Sequence, residues 1–260
     1  MLLALDVGNS AVKGGLFDSR ELRDVFSIPT DAIPQADRSS GAAWQDALSA
    51  HLTDPSISRV GLASVVPAIA DGITAAVSEH MDAPLTRVHP SMPLPFELDY
   101  DTPETLGTDR LAAAAAGWEL FGTAENPPRS VLVVDAGTAV TCEVVHRDGI
   151  YQGGTISAGP ELLRDALQSG TAQLPQVPLQ LPDSPVGQST QTAIQSGIMW
   201  GLIDSVRGMV DRMRPTLPDA PRIVLTGGWG PLLSDHIDAG HHDPHLVLRG
   251  IQVLVSEHPA

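Results

Sequence analysis

The chain of 260 residues predicts an α/β fold made of two similar halves. Two observations carry this. Short apolar runs of strand type alternate with segments of helical periodicity along the whole length. A strand–turn–strand pattern also occurs twice, once at Asp6-Val7-Gly8-Asn9-Ser10 and again at Asp135-Ala136-Gly137-Thr138. Asp135 and Gly137 each stand 129 positions after Asp6 and Gly8, half the chain away.

The first hairpin runs from Leu2-Leu3-Ala4-Leu5 through the glycine turn to Ala11-Val12-Lys13-Gly14-Gly15-Leu16-Phe17. Ala42 to Leu52 reads as a helix, Val60 to Ser64 as a strand. Pro67 to Met81 reads as a second helix, because Ile69, Ile73 and Val77 recur every fourth residue. Asp109 to Leu120 is rich in alanine and helical. Gly122 and Asn126-Pro127-Pro128 then break the pattern. The expected division is therefore an N-terminal domain of residues 1–116 and a C-terminal domain of residues 117–260, whose last segment can pack back on the first.

The second hairpin joins Val131-Leu132-Val133-Val134 to Ala139-Val140-Thr141-Cys142-Glu143-Val144-Val145. Gly153-Gly154-Thr155-Ile156-Ser157-Ala158-Gly159 leads into the N-terminus of a helix that begins at Pro160, an end that favours anions. Leu174 to Pro185 holds four prolines and reads as a loop. Ile198, Leu202, Val206, Met209 and Met213 mark a long amphipathic helix. Arg222 to Leu225 is a buried strand ending at Thr226-Gly227-Gly228, and Leu246 to Val255 closes the chain.

Charge and composition narrow the function. Fifteen basic residues against 31 acidic ones give a formal charge of −16. No basic face is expected for a nucleic acid or an anionic membrane. The one cysteine, Cys142, lies in an apolar run and has no partner for a disulfide, which fits a reducing compartment. The first residues lack the basic flank of a signal peptide, and no run approaches the ~18 apolar residues of a membrane span. A cytoplasmic location is expected.

The chemistry concentrates in the two acidic glycine turns. Backbone amides of such a turn can form an anion nest, and glycine lets a phosphate approach closely. Asn9, Ser10 and Thr138 add short donors; Lys13 adds a positive charge. Asp6 and Asp135 end their strands, where a carboxylate can hold a cation directly or through water. Together the turns suit one nucleotide triphosphate with Mg²⁺. No P-loop or dinucleotide fingerprint is present.

A second constellation is Gly107-Thr108-Asp109-Arg110, preceded by Tyr100 and a short loop. Asp109 falls in the first helical turn, where it either serves the helix dipole or accepts a proton from a hydroxyl. Arg110 can fork onto a carboxylate. Gly187-Gln188-Ser189-Thr190 precedes another helix as a cap or a ligand site. His241, His242 and His245 lack the spacing of a zinc site and read as a solvated loop.

These motifs, in this order, resemble type III pantothenate kinase over residues 2 to about 254. The resemblance rests on Asp6-Val7-Gly8-Asn9-Ser10 with Lys13, Gly107-Thr108-Asp109-Arg110, Asp135-Ala136-Gly137-Thr138-Ala139, Gly153-Gly154 with Gly159, Ser189-Thr190 and Thr226-Gly227-Gly228. It implies a duplicated actin/hexokinase-type (ribonuclease H-like) kinase fold and ATP-dependent phosphorylation of pantothenate in coenzyme A synthesis. It also implies Mg²⁺, a monovalent cation (K⁺ or NH₄⁺), and a homodimer with substrate sites near the interface.

Residue by residue, the resemblance makes Asp6 the organiser of Mg²⁺. The segment Asp6, Val7, Gly8, Asn9, Ser10, Ala11, Val12 and Lys13 would bind ATP, with Thr138 on a phosphate. Asp135 would hold the monovalent cation. Asp109 would be the base and Arg110 the pantothenate ligand, with Tyr100, Gly107, Thr108 and Thr190 lining that site. Ala158 and Trp229 depart from the family pattern, where proline and a smaller residue are usual. Two other readings share the fold: a non-catalytic nucleotide-binding accessory protein, and a kinase for another small alcohol.

Overall fold

The computed structural model describes residues 1–52 and 55–256. The first sheet contains β1 (Leu2–Val7), β2 (Ala11–Asp18), β3 (Glu21–Pro29), β4 (Arg59–Ser64) and β5 (Leu85–Arg87), in the order β3-β2-β1-β4-β5. Two helices, α1 (Gly41–Leu52) and α2 (Pro67–His80), lie in the chain before and after β4. Next come β6 (Glu97–Leu98) and α3 (Thr108–Gly117), then the second hairpin, β7 (Val131–Ala136) and β8 (Ala139–His146), with β9 (Ile150–Ala158). The remainder is α4 (Pro160–Gly170), α5 (Thr190–Met213), β10 (Arg222–Thr226), α6 (Gly230–Ser234), β11 (His241–His242) and α7 (Leu246–Ser256). The second sheet runs β11-β10-β7-β8-β9-β6.

Strip β6 from the second sheet and the two orders coincide. In each, a central strand pairs antiparallel with its hairpin partner and parallel with a later strand. The repeat seen in the sequence is thus a repeat of topology, extended beyond the hairpin to five strands. β1 and β7 are central and almost wholly buried, as apolar side chains on both faces require.

Strand alternation sets what each face meets. Leu3, Leu5 and Val7 pack with Trp44, Leu48, Ile69 and Ile73 of α1 and α2. Leu132, Val134 and Ala136 pack with Leu202, Ile203 and Val206 of α5. The opposite faces, Leu2 and Ala4 of β1 and Val131 and Val133 of β7, share one core with α3 and α7. These two helices lie between the sheets and touch closely because their contact residues are small. A Cβ on Gly250 would stand 1.8 Å from the carbonyl oxygen of Ala112. By the same alternation Asp6 and Asp135 end the inner faces of both sheets.

The structure adds to the sequence reading at three places. Gly153 to Ala158, which lead into α4, belong to strand β9, and Gly154 opposes Glu143 across the ladder. A Cβ on Gly154 would clash with the carbonyl of Cys142, so glycine is required there by close backbone approach. The alanine-rich helix starts at Thr108 and ends at Gly117, where one wider turn, Trp118–Gly122, finishes it. β3, with four charged or polar side chains at its exposed edge, is absent from the sequence expectation. Cys142 is buried, as expected.

Candidate active site

The two acidic turns come together. In each, the glycine amide closes the hairpin: Gly8 N donates to Ala11 O at 3.0 Å and Gly137 N to Ala139 O at 2.9 Å. The Ser10 and Thr138 hydroxyls then meet at 2.8 Å across 128 residues of chain. This contact puts both turns at one cleft. Lys13 lies opposite Asp6 in the β1–β2 register and is exposed.

The cleft beside the turns is lined by Asp6, Lys13, Asp135, Thr226, Gly227 and His245. Gly227 has φ +84°. A Cβ there would stand 2.4 Å from Asp135 Oδ1, so glycine both takes the left-handed backbone and leaves room for the carboxylate.

Burial pushes the Asp6 carboxyl up to about 7; Lys13 opposes the shift, and the charges of Asp109 and Asp135 add to it. Asp135 is pushed up to about 6, again by burial first, with Lys13 opposing and Asp109 and Glu143 adding. Three carboxylates therefore act on one another, with a single lysine among them. Such a cluster favours a bound cation, which would relieve both desolvation and repulsion. Among the described residues no group of three or more His, Cys, Asp or Glu forms a metal cage. The donor set fits Mg²⁺ that completes its shell with phosphate oxygens and water.

The start of α3 is fastened to β4. Thr108 Oγ1 accepts from Ser64 N at 2.8 Å and donates to Ser64 O at 3.1 Å. Asp109 is thereby held on a rigid element and half-buried. Its Oδ1 accepts from Arg110 N at 2.8 Å. Gly107 precedes it because a Cβ there would lie 2.6 Å from that same Oδ1.

Arg110 differs from its expected setting. It is 7% exposed, and its fork is spent on Glu143: Nε to Oε1 at 2.7 Å and Nη2 to Oε2 at 2.9 Å. Tyr151 Oη donates to Glu143 Oε2 at 2.6 Å. Tyr100 lies 5.9 Å from the Tyr151 ring, centroid to centroid, and its own ring packs under Gly153. Burial raises the Glu143 carboxyl, against the pull of Arg110. Burial also opposes the Arg110 charge, but Glu143 outweighs it and holds the cation above its ordinary value.

Tyr100, Gly107, Thr108, Asp109 and Arg110 thus belong to one neighbourhood. Thr190 is not hydrogen-bonded to it. It is the exposed first residue of α5, capped by the reciprocal Ser189–Thr192 pair, and no hydrogen bond among the described residues links it to Tyr100, Gly107 or Asp109. Trp229 stands at the end of the Thr226-Gly227-Gly228 loop and donates from Nε1 to Glu161 at 3.1 Å.

Two residues escaped the sequence reading. His245 lines the cleft, although its histidine cluster reads as a solvated loop; the half-turn before α7 carries it inward. Glu143 sits fully buried in β8. Its signal was a lone acid within an apolar strand, which demands a cationic partner.

A family model described as type III pantothenate kinase matches residues 2–212. A type III pantothenate kinase of Chlorobaculum parvum is 33% identical over 259 residues, covering 97% of this chain and 93% of that one. Among solved structures, a Baf family protein of Campylobacter jejuni matches with TM-score 0.60 at 21% identity, covering 98% of both chains. An inorganic polyphosphate/ATP-glucomannokinase of Arthrobacter sp. strain KM matches with TM-score 0.52 at 14% identity, covering 99% of both. These two likenesses show the fold, the duplicated actin/hexokinase type.

Proposed function

The chain belongs to the type III pantothenate kinase family, and we propose that its two acidic turns hold the nucleotide while the start of α3 holds the acceptor alcohol. The enzyme phosphorylates pantothenate with ATP and Mg²⁺, giving 4′-phosphopantothenate in coenzyme A biosynthesis. The observation that carries the site assignment is the Ser10–Thr138 contact at 2.8 Å, which joins the two turns next to Asp6, Asp135 and Asp109.

In this reading the amides of Asn9 and Ser10, the Thr138 hydroxyl and the Lys13 ammonium receive the phosphates, while Gly8, whose amide closes the hairpin, leaves them room. Asp6 holds Mg²⁺, which neutralises charge on the phosphates. Asp109 orients the primary hydroxyl of pantothenate and accepts its proton late, as suits a loose transition state. Arg110 meets the pantothenate carboxylate. Asp135 holds a monovalent cation, K⁺ or NH₄⁺; its buried, repelled carboxylate supports that role.

We propose further that the protein is a cytoplasmic homodimer and that its two units divide at 116/117. Exposed Ile156, Leu162, Leu163 and Val186 support the dimer, since apolar side chains of this size favour cover. Thr190 follows Val186 by four residues, which suits substrate sites near that interface. No helix among the described residues is long and apolar enough to cross a membrane.

The test is ATP consumption by the purified protein with pantothenate and a panel of small alcohols, in K⁺, NH₄⁺ and Na⁺ salts at constant ionic strength. Turnover confined to pantothenate, and faster in K⁺ or NH₄⁺, is expected. Turnover of another alcohol instead would overturn the substrate assignment, and equal rates in all three salts would overturn the role of Asp135.

A further inference from the structure

We propose that Glu143, with Tyr151, is a positioning residue for pantothenate recognition: it holds the Arg110 guanidinium by Nε and Nη2 and leaves Nη1 for the acceptor's carboxylate. The inference rests on the pantothenate reading above and deepens it.

The geometry is that of a clamp. Arg110 and Glu143 form two parallel charge-assisted bonds, at 2.7 Å and 2.9 Å. The hydroxyl of Tyr151 fixes the carboxylate at 2.6 Å and receives Nη2 at 3.3 Å. Glu143 and Tyr151 are both fully buried. Nη1 takes no part in this clamp, and the guanidinium lies beside Tyr100, which adds to the hold on its charge.

The clamp also joins separate parts of the chain. Arg110 comes from α3, one residue after Asp109. Glu143 comes from β8, opposite Val133 and on the inner face of the second sheet. The ladder shifts register just beyond Glu143, and Gly154 opposes it with no side chain in the way. The sheet thus sets the angle of an arginine on a helix between the sheets.

There is an electrostatic consequence. Because Glu143 neutralises Arg110, Arg110 does not neutralise its neighbour Asp109. One residue can then present a directed hydrogen-bond donor to a carboxylate while the next keeps its basic oxygen for a hydroxyl.

The experiment uses full-length Glu143→Gln and Tyr151→Phe, each with steady-state kinetics in both substrates and a thermal melt. Glu143→Gln loses one acceptor oxygen and should raise the pantothenate KM by roughly 10- to 100-fold, the loss of one charge-assisted bond. The ATP KM should stay within about twofold. Tyr151→Phe keeps the ion pair and should raise the pantothenate KM by less than about tenfold. On the neutral amide analogue of pantothenate, which lacks the carboxylate, both effects should vanish.

A merely structural role would give a lower melting temperature and a lower kcat per folded enzyme, with both KM values unmoved; that pattern overturns the proposal. If Glu143→Gln does not fold, Tyr151→Phe decides alone, and an unchanged pantothenate KM overturns it. Wild-type protein that ignores pantothenate refutes the substrate reading instead, so the two failures are distinct.

Discussion

In the first hairpin Lys13 stands opposite Asp6; in the second, Thr141 stands opposite Asp135. Two positions further along, Gly15 faces Ala4 in the first half and Glu143 faces Val133 in the second. The two sheets share strand order, with the second hairpin turn one residue shorter, and their charges are placed differently. The first half puts a cation at the exposed mouth of the cleft. The second half buries an anion that reaches toward α3. Backbone repetition supplies two similar turns, and in the proposed reading a few unlike side chains divide the work between phosphate and acceptor.

Asp109 tests this division most severely, because its charge acts on both turns. Asp109→Asn should lower kcat by about 10²–10⁴-fold, the range for a lost proton acceptor, with an unchanged melt. Near-normal kcat would reduce Asp109 to a residue of the helix start and leave the two halves without a shared centre.

Exchanging the unlike residues sharpens the contrast. Lys13→Ala should lower kcat/KM for ATP by about 10- to 100-fold, the scale of a bond to a charged group, and leave the pantothenate KM alone. Thr141→Ala should cost less than about fivefold. Equal losses in the two variants would show that the halves handle phosphate alike.

The unequal carboxylates give a pH signature. Asp6 and Asp135 titrate near 7 and 6 in the folded chain, above the ordinary 3.8. The folded state therefore binds protons that the unfolded chain has released. Their contribution to stability is present below pH ~4 and is lost as pH rises through 6 to 7. Melts of nucleotide-free protein between pH 4 and 8 should lose more of this slope in Asp6→Asn than in Asp135→Asn. Identical slopes in wild type and both variants would remove the electrostatic distinction.

The smallest effect concerns the contact that joins the halves. A double-mutant cycle on Ser10→Ala and Thr138→Ala should yield a coupling of about 0.5–1 kcal/mol, as for an exposed neutral hydrogen bond. Zero coupling would mean that the turns are neighbours without mutual support.

Much of this was legible in the chain. β1 and β7 announce themselves as apolar runs because both their faces are buried, and the 129-residue offset reports the shared topology. The turn residues and the Gly107 to Arg110 segment are contiguous, so spacing alone locates them. β3 was hidden because an edge strand with charged side chains looks like a loop. Strand β9 carries no clear strand signal because Gly153 and Gly154 offer no side chain to mark its alternation. His245 and Glu143 depend on what faces them from distant segments, and no local pattern records that.

Lys13 is the single lysine of the chain. Its exposed ammonium beside Asp6 gives the cleft a chemical address that no other side chain duplicates. Among side chains, an amine-acylating reagent has one lysine target, this one. Intact mass after a brief acylation thus becomes a gauge of occupancy, with one adduct fewer when phosphates cover Lys13. A chain so poor in lysine carries its own reporter at the cleft proposed for the nucleotide.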